Sequence, residues 1–236
     1  MVEKVPTPGK EVGKDFQPLE PFSPDPVRPA RIDIRIYVCP ALMDALVFLV
    51  NFAVMFGAGR LGFSTGQCAL LTGLAGILYA LASLAAGVRL RRENARRLAL
   101  AGAVLCGGLG VALVWGKTFP LLLGLNLVFS GSAALFFNGF QTFMRGESPP
   151  GGLARSVGFY TLAWSSGSGA GFLASGSLFD LGPMALSALV LGMAAAVILI
   201  LLRHRPRALH EHSADEHVEE GSAAARRVNP GYVLVG

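Results

Sequence analysis

Charge is scarce in this chain. Only 15% of its 236 residues are Asp, Glu, Lys or Arg, against 53% apolar ones, and the mean hydropathy is +0.54. A soluble protein of this length keeps a polar face on most of its elements, so this balance excludes an ordinary soluble domain. Cysteine is also rare, with three residues, and they are badly spaced for pairing. Cys39 and Cys68 fall at opposite ends of an apolar segment and its turn, and Cys106 lies inside another segment. A disulfide needs Cα atoms within about 7 Å, so Cys39 and Cys68 cannot pair, and buried inert thiols are expected. All four histidines lie between His204 and His217. The first thirty residues lack an apolar core and carry Pro6, Pro8, Pro18, Pro21, Pro24, Pro26 and Pro29. That composition excludes a cleavable targeting segment and predicts a disordered Pro-rich tail over 1–36. Its Pro18-Leu19-Glu20-Pro21 has PxxP form, a pattern such tails match by chance.

The chain does have long apolar runs. Six of them fill Ala41 to Leu202, at about Ala41–Phe56, Gln67–Val88, Leu98–Trp115, Phe119–Phe143, Val157–Phe179 and Pro183–Leu202. About 20 apolar residues in a helix cross the hydrocarbon of a bilayer. The expected fold class is therefore an all-α membrane protein with six transmembrane helices spanning 37–203.

The basic residues between the segments alternate. The tail has Arg28, Arg31 and Arg35, the second loop has Arg89, Arg91, Arg92, Arg96 and Arg97, the fourth has Arg145 and Arg155, and Arg203, Arg205 and Arg207 follow segment six. The first and third loops have only Arg60 and Lys117, and the fifth has none. Cytoplasmic loops carry the excess of Lys and Arg, which places both ends of the bundle in the cytoplasm of a multi-pass cell-membrane protein. The pI near 9.4 thus reflects topology and implies no nucleic-acid partner. Residues 204–229 read as a polar cytoplasmic linker. The run Pro230 to Gly236 is apolar and too short to span, and reads as the start of a truncated seventh helix.

Polar side chains within hydrocarbon usually face the bundle interior or a cavity. Segment one has Asp44 and Asn51, seven apart and on one face. Segment four has Asn126, Asn138 and Gln141, and segment five has Tyr160 and Trp164. Segments three and six are nearly devoid of polar groups, so one, four and five are expected to look inward. The six have the form of two inverted three-helix repeats, each opening on a polar helix, a construction used by transporters. Segment five holds Gly158, Gly167, Gly171 and Gly176. Gly167 and Gly171 form a GxxxG pair that lets two backbones approach closely.

Several patterns lead nowhere. Gly57 to Gly62 reads GxGxxG, but without the βαβ unit a dinucleotide site needs, and is expected to be a turn. Gly62 to Gly66 reads GxSxG, yet every histidine lies across the membrane from Ser64, so no catalytic base is in reach. His204, His210, His212 and His217 match no closed metal site. No metal, cofactor or enzymatic activity is expected.

The arrangement resembles the amino-terminal half of a major facilitator superfamily transporter, a twelve-helix fold, over about Tyr37 to Arg207. That family has a helix-five motif, G-x8-G-x3-G-P-x2-G-G. Gly158, Gly167, Gly171 and Gly176 match it, while Phe172 replaces the proline and Ser175 a glycine. The family ties the full motif to antiport, so the departure favours symport or uniport. A second family pattern, G-x-x-x-D-R-x-G-R-R between helices two and three, is matched by Gly87, Arg92 and Arg96. Arg91 replaces the aspartate that helps hold the inward gate, Asn94 the glycine and Ala95 an arginine.

The resemblance implies a secondary active transporter that moves a small solute by alternating access. It would be completed by a carboxy-terminal six-helix half and could be coupled to a proton or another cation. The alternative is a non-transporting membrane scaffold or assembly protein. Asp44, the only acidic residue within the six segments, is the candidate for coupling or substrate contact. Its alternative role is that of an entrance residue or a helix-end partner of Arg35. Asn51, Asn126, Asn138, Gln141, Tyr160 and Trp164 are the further cavity candidates; packing against helix one is the alternative for Tyr160 and the expected role of Trp164. Gly158, Gly167, Gly171 and Gly176 are the candidates for a helix-five pivot.

Overall fold

The computed structural model describes residues 33–149 and 151–205. The Pro-rich tail to residue 32, His210, His212 and His217 of the linker, and the apolar run expected to open a seventh helix lie outside the described residues. After a short 3-10 turn at Ile34–Tyr37 come six helices: α1 Val38–Arg60, α2 Thr65–Arg89, α3 Arg92–Trp115, α4 Phe119–Glu147, α5 Leu153–Phe179 and α6 Pro183–Arg203. The shortest has 21 residues, which at about 1.5 Å per residue reaches the roughly 30 Å of a hydrocarbon core.

Five of the six are long and apolar enough to cross a membrane. The exception is α5, which has the length, 27 residues, but not the hydropathy. Ser165, Ser166 and Ser168 and its many glycines dilute its apolar content. Its place in the bundle comes from packing instead.

Local chemistry sets the helix ends. Ser64 caps α2 reciprocally with Gln67: the Ser64 N–H donates to Gln67 Oε1 at 2.9 Å, and the Gln67 N–H donates to Ser64 Oγ at 3.3 Å. The GxSxG serine is thus a helix cap. The GxGxxG run is not wholly a turn. Gly57 and Gly59 lie in the last turns of α1, and only Gly62 takes positive φ, +76°. α3 starts six residues earlier than its apolar run suggests, because Asn94 accepts from the Arg91 N–H at 2.8 Å and holds the first turn. Asn94 is therefore helical. Pro183 opens α6 directly after Gly182 at φ +89°.

The helix pairing has an internal symmetry. α1 packs on α5 and α6, while α4 packs on α2 and α3, and α3 meets α6 between them. Exchanging α1–α3 with α4–α6 maps this pattern onto itself. Because three crossings separate equivalent helices, the two triplets run in opposite directions. This is the inverted-repeat arrangement expected from the sequence. α1 and α4 hold most of the core, including Met43, Leu46, Leu49, Val50, Phe129, Phe136 and Phe140. α2 buries only Leu71, Ala75 and Ala86, and α5 only Ser156, Gly167, Gly171 and Ser175.

Glycines set the closest contacts. An added Cβ at Gly167 would lie 2.2 Å from the Ala41 oxygen, and one at Gly171 would lie 2.8 Å from the Ala45 oxygen. The GxxxG pair of α5 therefore seats on small residues of α1. Gly158 and Gly176 have nothing within 4 Å of an added Cβ, so only half of the glycine motif makes this crossing. On the other side of the bundle, Gly102 of α3 faces the backbone of Ser132 and Phe136, and Gly139 of α4 faces that of Ala95 and Ala99.

Candidate functional site

A cleft of about 500 Å³ opens between the repeats, with walls from α1, α2, α4 and α5. Asp44 and Asn51 contribute from α1, Thr72 and Tyr79 from α2, Phe129, Ser130 and Phe137 from α4, and Trp164 from α5. Asp44 is 3% exposed, about 9 Å along the helix from Val38 at 1.5 Å per residue. No salt bridge reaches it among the described residues, and its Oδ2 has no hydrogen-bond partner. Trp164 and Ser168 of α5 turn toward the carboxyl group, although the Ser168 hydroxyl donates to carbonyls of its own helix at 3.1 Å. Arg35 does not pair with it. That residue lines a separate recess with Asp33, Arg203 and His204, so the helix-end pairing considered from the sequence does not form.

The other polar candidates stand behind the cleft or beside it. Asn138 of α4 donates through Nδ2 to Ser83 Oγ on α2 at 3.0 Å, and Ser83 in turn shares a hydrogen bond with Tyr79. Gln141 donates through Nε2 to the Tyr160 hydroxyl at 3.0 Å, joining α4 to α5. The Tyr160 ring stacks on Phe140 with centroids 6.0 Å apart. Both tyrosines are close enough to Asp44 to feel its charge. Asn138 therefore supports Tyr79 through Ser83, and Gln141 holds Tyr160 directly. Asn126 is buried and donates to the Leu71 carbonyl at 2.9 Å, which staples α4 to α2. Its Oδ1 has no partner.

Tyr79 and Thr72 escaped the sequence reading. The signal was present, since Thr72, Tyr79 and Ser83 recur at helical spacing and share one face. Two hydroxyls and a tyrosine in an otherwise apolar helix are easily read as tolerated polar groups.

A model of the major facilitator superfamily matches residues 36–232. The chain belongs to the major facilitator superfamily. No curated protein and no solved structure matches it. Members of this superfamily are transporters of small solutes, and the six-helix, inverted-repeat architecture agrees with that membership.

The superfamily's loop pattern has a definite place here. Gly87 is exposed near the end of α2. Arg92 opens α3, and Arg96, one turn later, reaches across to α6. Its guanidinium donates to the Leu201 carbonyl through Nε at 3.0 Å and to the Leu202 carbonyl through Nη2 at 3.0 Å. These are the unpaired carbonyls of a helix C-terminus, which favour a cation.

The same end of the bundle holds a second tie. His204, directly after α6, bonds through Nε2 to Glu147 Oε2 at 2.9 Å and lies 3.4 Å through Nδ1 from Asp33 Oδ2. The start of α1 and the ends of α4 and α6 therefore meet there. At the opposite end, Arg60 lies 3.8 Å from Asp180, and its guanidinium sits over the rings of Phe56 and Phe179 at 4.8 and 5.0 Å.

Proposed function

We propose that the cleft is the solute path of a secondary transporter, with this chain supplying the amino-terminal six helices of a twelve-helix carrier. The observation that carries the reading is Asp44, a buried carboxyl group that lines a cleft between inverted repeats and has no counter-charge among the described residues. Buried charges without partners are costly and mark transport paths. α1, α2, α4 and α5 line the cleft. A second six-helix body would close the cleft and alternate its access. The alternation of basic residues between the loops supports a cell-membrane protein with both ends of the bundle in the cytosol. Asp44 takes a proton or cation during the cycle, and symport or uniport fits the incomplete helix-five motif.

The test is uptake by the full-length protein in proteoliposomes against a solute panel, with and without a proton gradient. Gradient-driven accumulation that Asp44→Asn abolishes supports coupling at this residue. Undiminished accumulation by that variant removes the coupling role. A folded protein that moves nothing would leave the scaffold reading.

A further inference from the structure

The cleft's chemistry narrows what it takes up. Among the described residues Asp44 is the only acidic one lining it, and no Lys, Arg or His joins it there. A buried ionised carboxylate needs a counter-charge, and the protein offers none among the described residues. Aromatic side chains line the same cleft. Trp164 and Tyr79 line the cleft while remaining 45% and 37% exposed, and Phe129 and Phe137 form the apolar wall behind them. An aromatic face attracts a cation through its ring quadrupole, most strongly for tryptophan.

The donor set argues against a divalent metal ion. Calcium takes six to eight oxygen ligands, and magnesium demands an octahedral set, whereas the described residues hold no cluster of three His, Cys, Asp or Glu. A cation that carries its own apolar body has no such requirement. Its charge needs one carboxylate, and its body needs rings.

We propose that the cleft binds organic monocations with an apolar body, the charge held by Asp44 and the body seated on Trp164 and Tyr79. The proposal rests on the reading of this cleft as the solute path and adds to it the class of solute. Asn51, Thr72 and Ser130 serve as the uncharged rim. Tyr79 is a specificity residue, held in place by Ser83 and Asn138.

Tetraphenylphosphonium and tetraphenylborate provide the test, because they share shape and hydrophobicity and differ in the sign of the charge. Equilibrium binding of each is measured on the purified full chain in detergent. The expected result is saturable binding of the phosphonium with about tenfold or greater preference over the borate, a difference of about 1.4 kcal/mol. Asp44→Asn should erase that preference. Trp164→Leu should weaken phosphonium binding several-fold, with Trp164→Phe intermediate because it keeps a ring. Equal affinity for the two ions overturns the proposal, as does full phosphonium affinity in a folded Asp44→Asn protein. Should Asp44→Asn fail to fold, the Trp164 pair decides, and equal binding by Leu and Phe variants and wild type overturns the seat. Saturable phosphonium binding without any uptake in proteoliposomes would keep this inference and remove the transport reading. Uptake of a neutral solute that phosphonium does not compete with would do the reverse.

Discussion

Gly167 of α5 lies against Ala41 of α1 so closely that a methyl group added to the glycine would stand 2.2 Å from the alanine's carbonyl oxygen. No side chain can yield there, since the obstacle is backbone. This contact, repeated one turn on between Gly171 and Ala45, fixes α5, the helix whose own hydropathy falls short of a membrane span.

Gly167→Ala is expected to destabilise the bundle by about 1–3 kcal/mol or more, the usual cost of overpacking. Gly158→Ala has open space around it and should be neutral or stabilising by up to about 1 kcal/mol through helix propensity. Thermal unfolding of the two variants in detergent checks this. Equal losses would dissociate the glycine motif from the α1–α5 crossing.

Arg96 should matter more than Gly87 in the loop between α2 and α3. Removing its guanidinium with Arg96→Ala leaves two α6 carbonyls without their charged donor, which should cost about 1.5–3 kcal/mol by the range for hydrogen bonds to charged groups. Arg96 is only partly buried, so solvent screening should keep the loss near the lower figure. Gly87→Ala should shift the melting point little. A Gly87 variant that melts lower than the Arg96 variant contradicts this.

Arg60 and Asp180 form an ion pair whose side chains are 62% and 74% exposed. Such pairs contribute about 0–1 kcal/mol, so Asp180→Asn should be nearly silent. Arg60→Ala also removes contacts with the rings of Phe56 and Phe179, each about 0.5–1 kcal/mol at an exposed site. It should therefore melt lower than Asp180→Asn, and lose less of its stability deficit in high salt than a pure ion pair would.

Topology gives a fourth test. Single cysteines at Glu93 and Lys117, in a background without Cys39, Cys68 and Cys106, should be labelled from opposite sides of the membrane by an impermeant thiol reagent. Labelling from one side would require α3 to double back, and with it the inverted repeat would fail.

Much of the fold was legible because length and hydropathy are local properties. Each of the six apolar runs became a helix, and the boundary errors have identifiable causes. α3 began early because Asn94 caps it and Arg96 finds acceptors on α6, and α4 continued to Glu147 because Glu147 reaches His204 across the bundle. The candidate site was less legible. Asp44, Asn51 and Trp164 line the cleft, whereas Asn138 bonds Ser83 beside Tyr79, Gln141 bonds Tyr160, and Asn126 ties two helices together. A polar residue in an apolar helix looks the same in sequence whether it faces a cavity or a neighbouring helix.

By itself the sequence determined that the chain belongs in a bilayer and where its six helices lie. Both follow from transfer free energies of residue runs, and neither requires a partner. Only the tertiary structure decided which polar groups share a cleft and which satisfy one another, because that depends on the rotation of each helix about its axis. The rotation is set by glycine-to-backbone contacts between helices distant in the chain, such as Gly167 on Ala41, and single-helix patterns do not encode it.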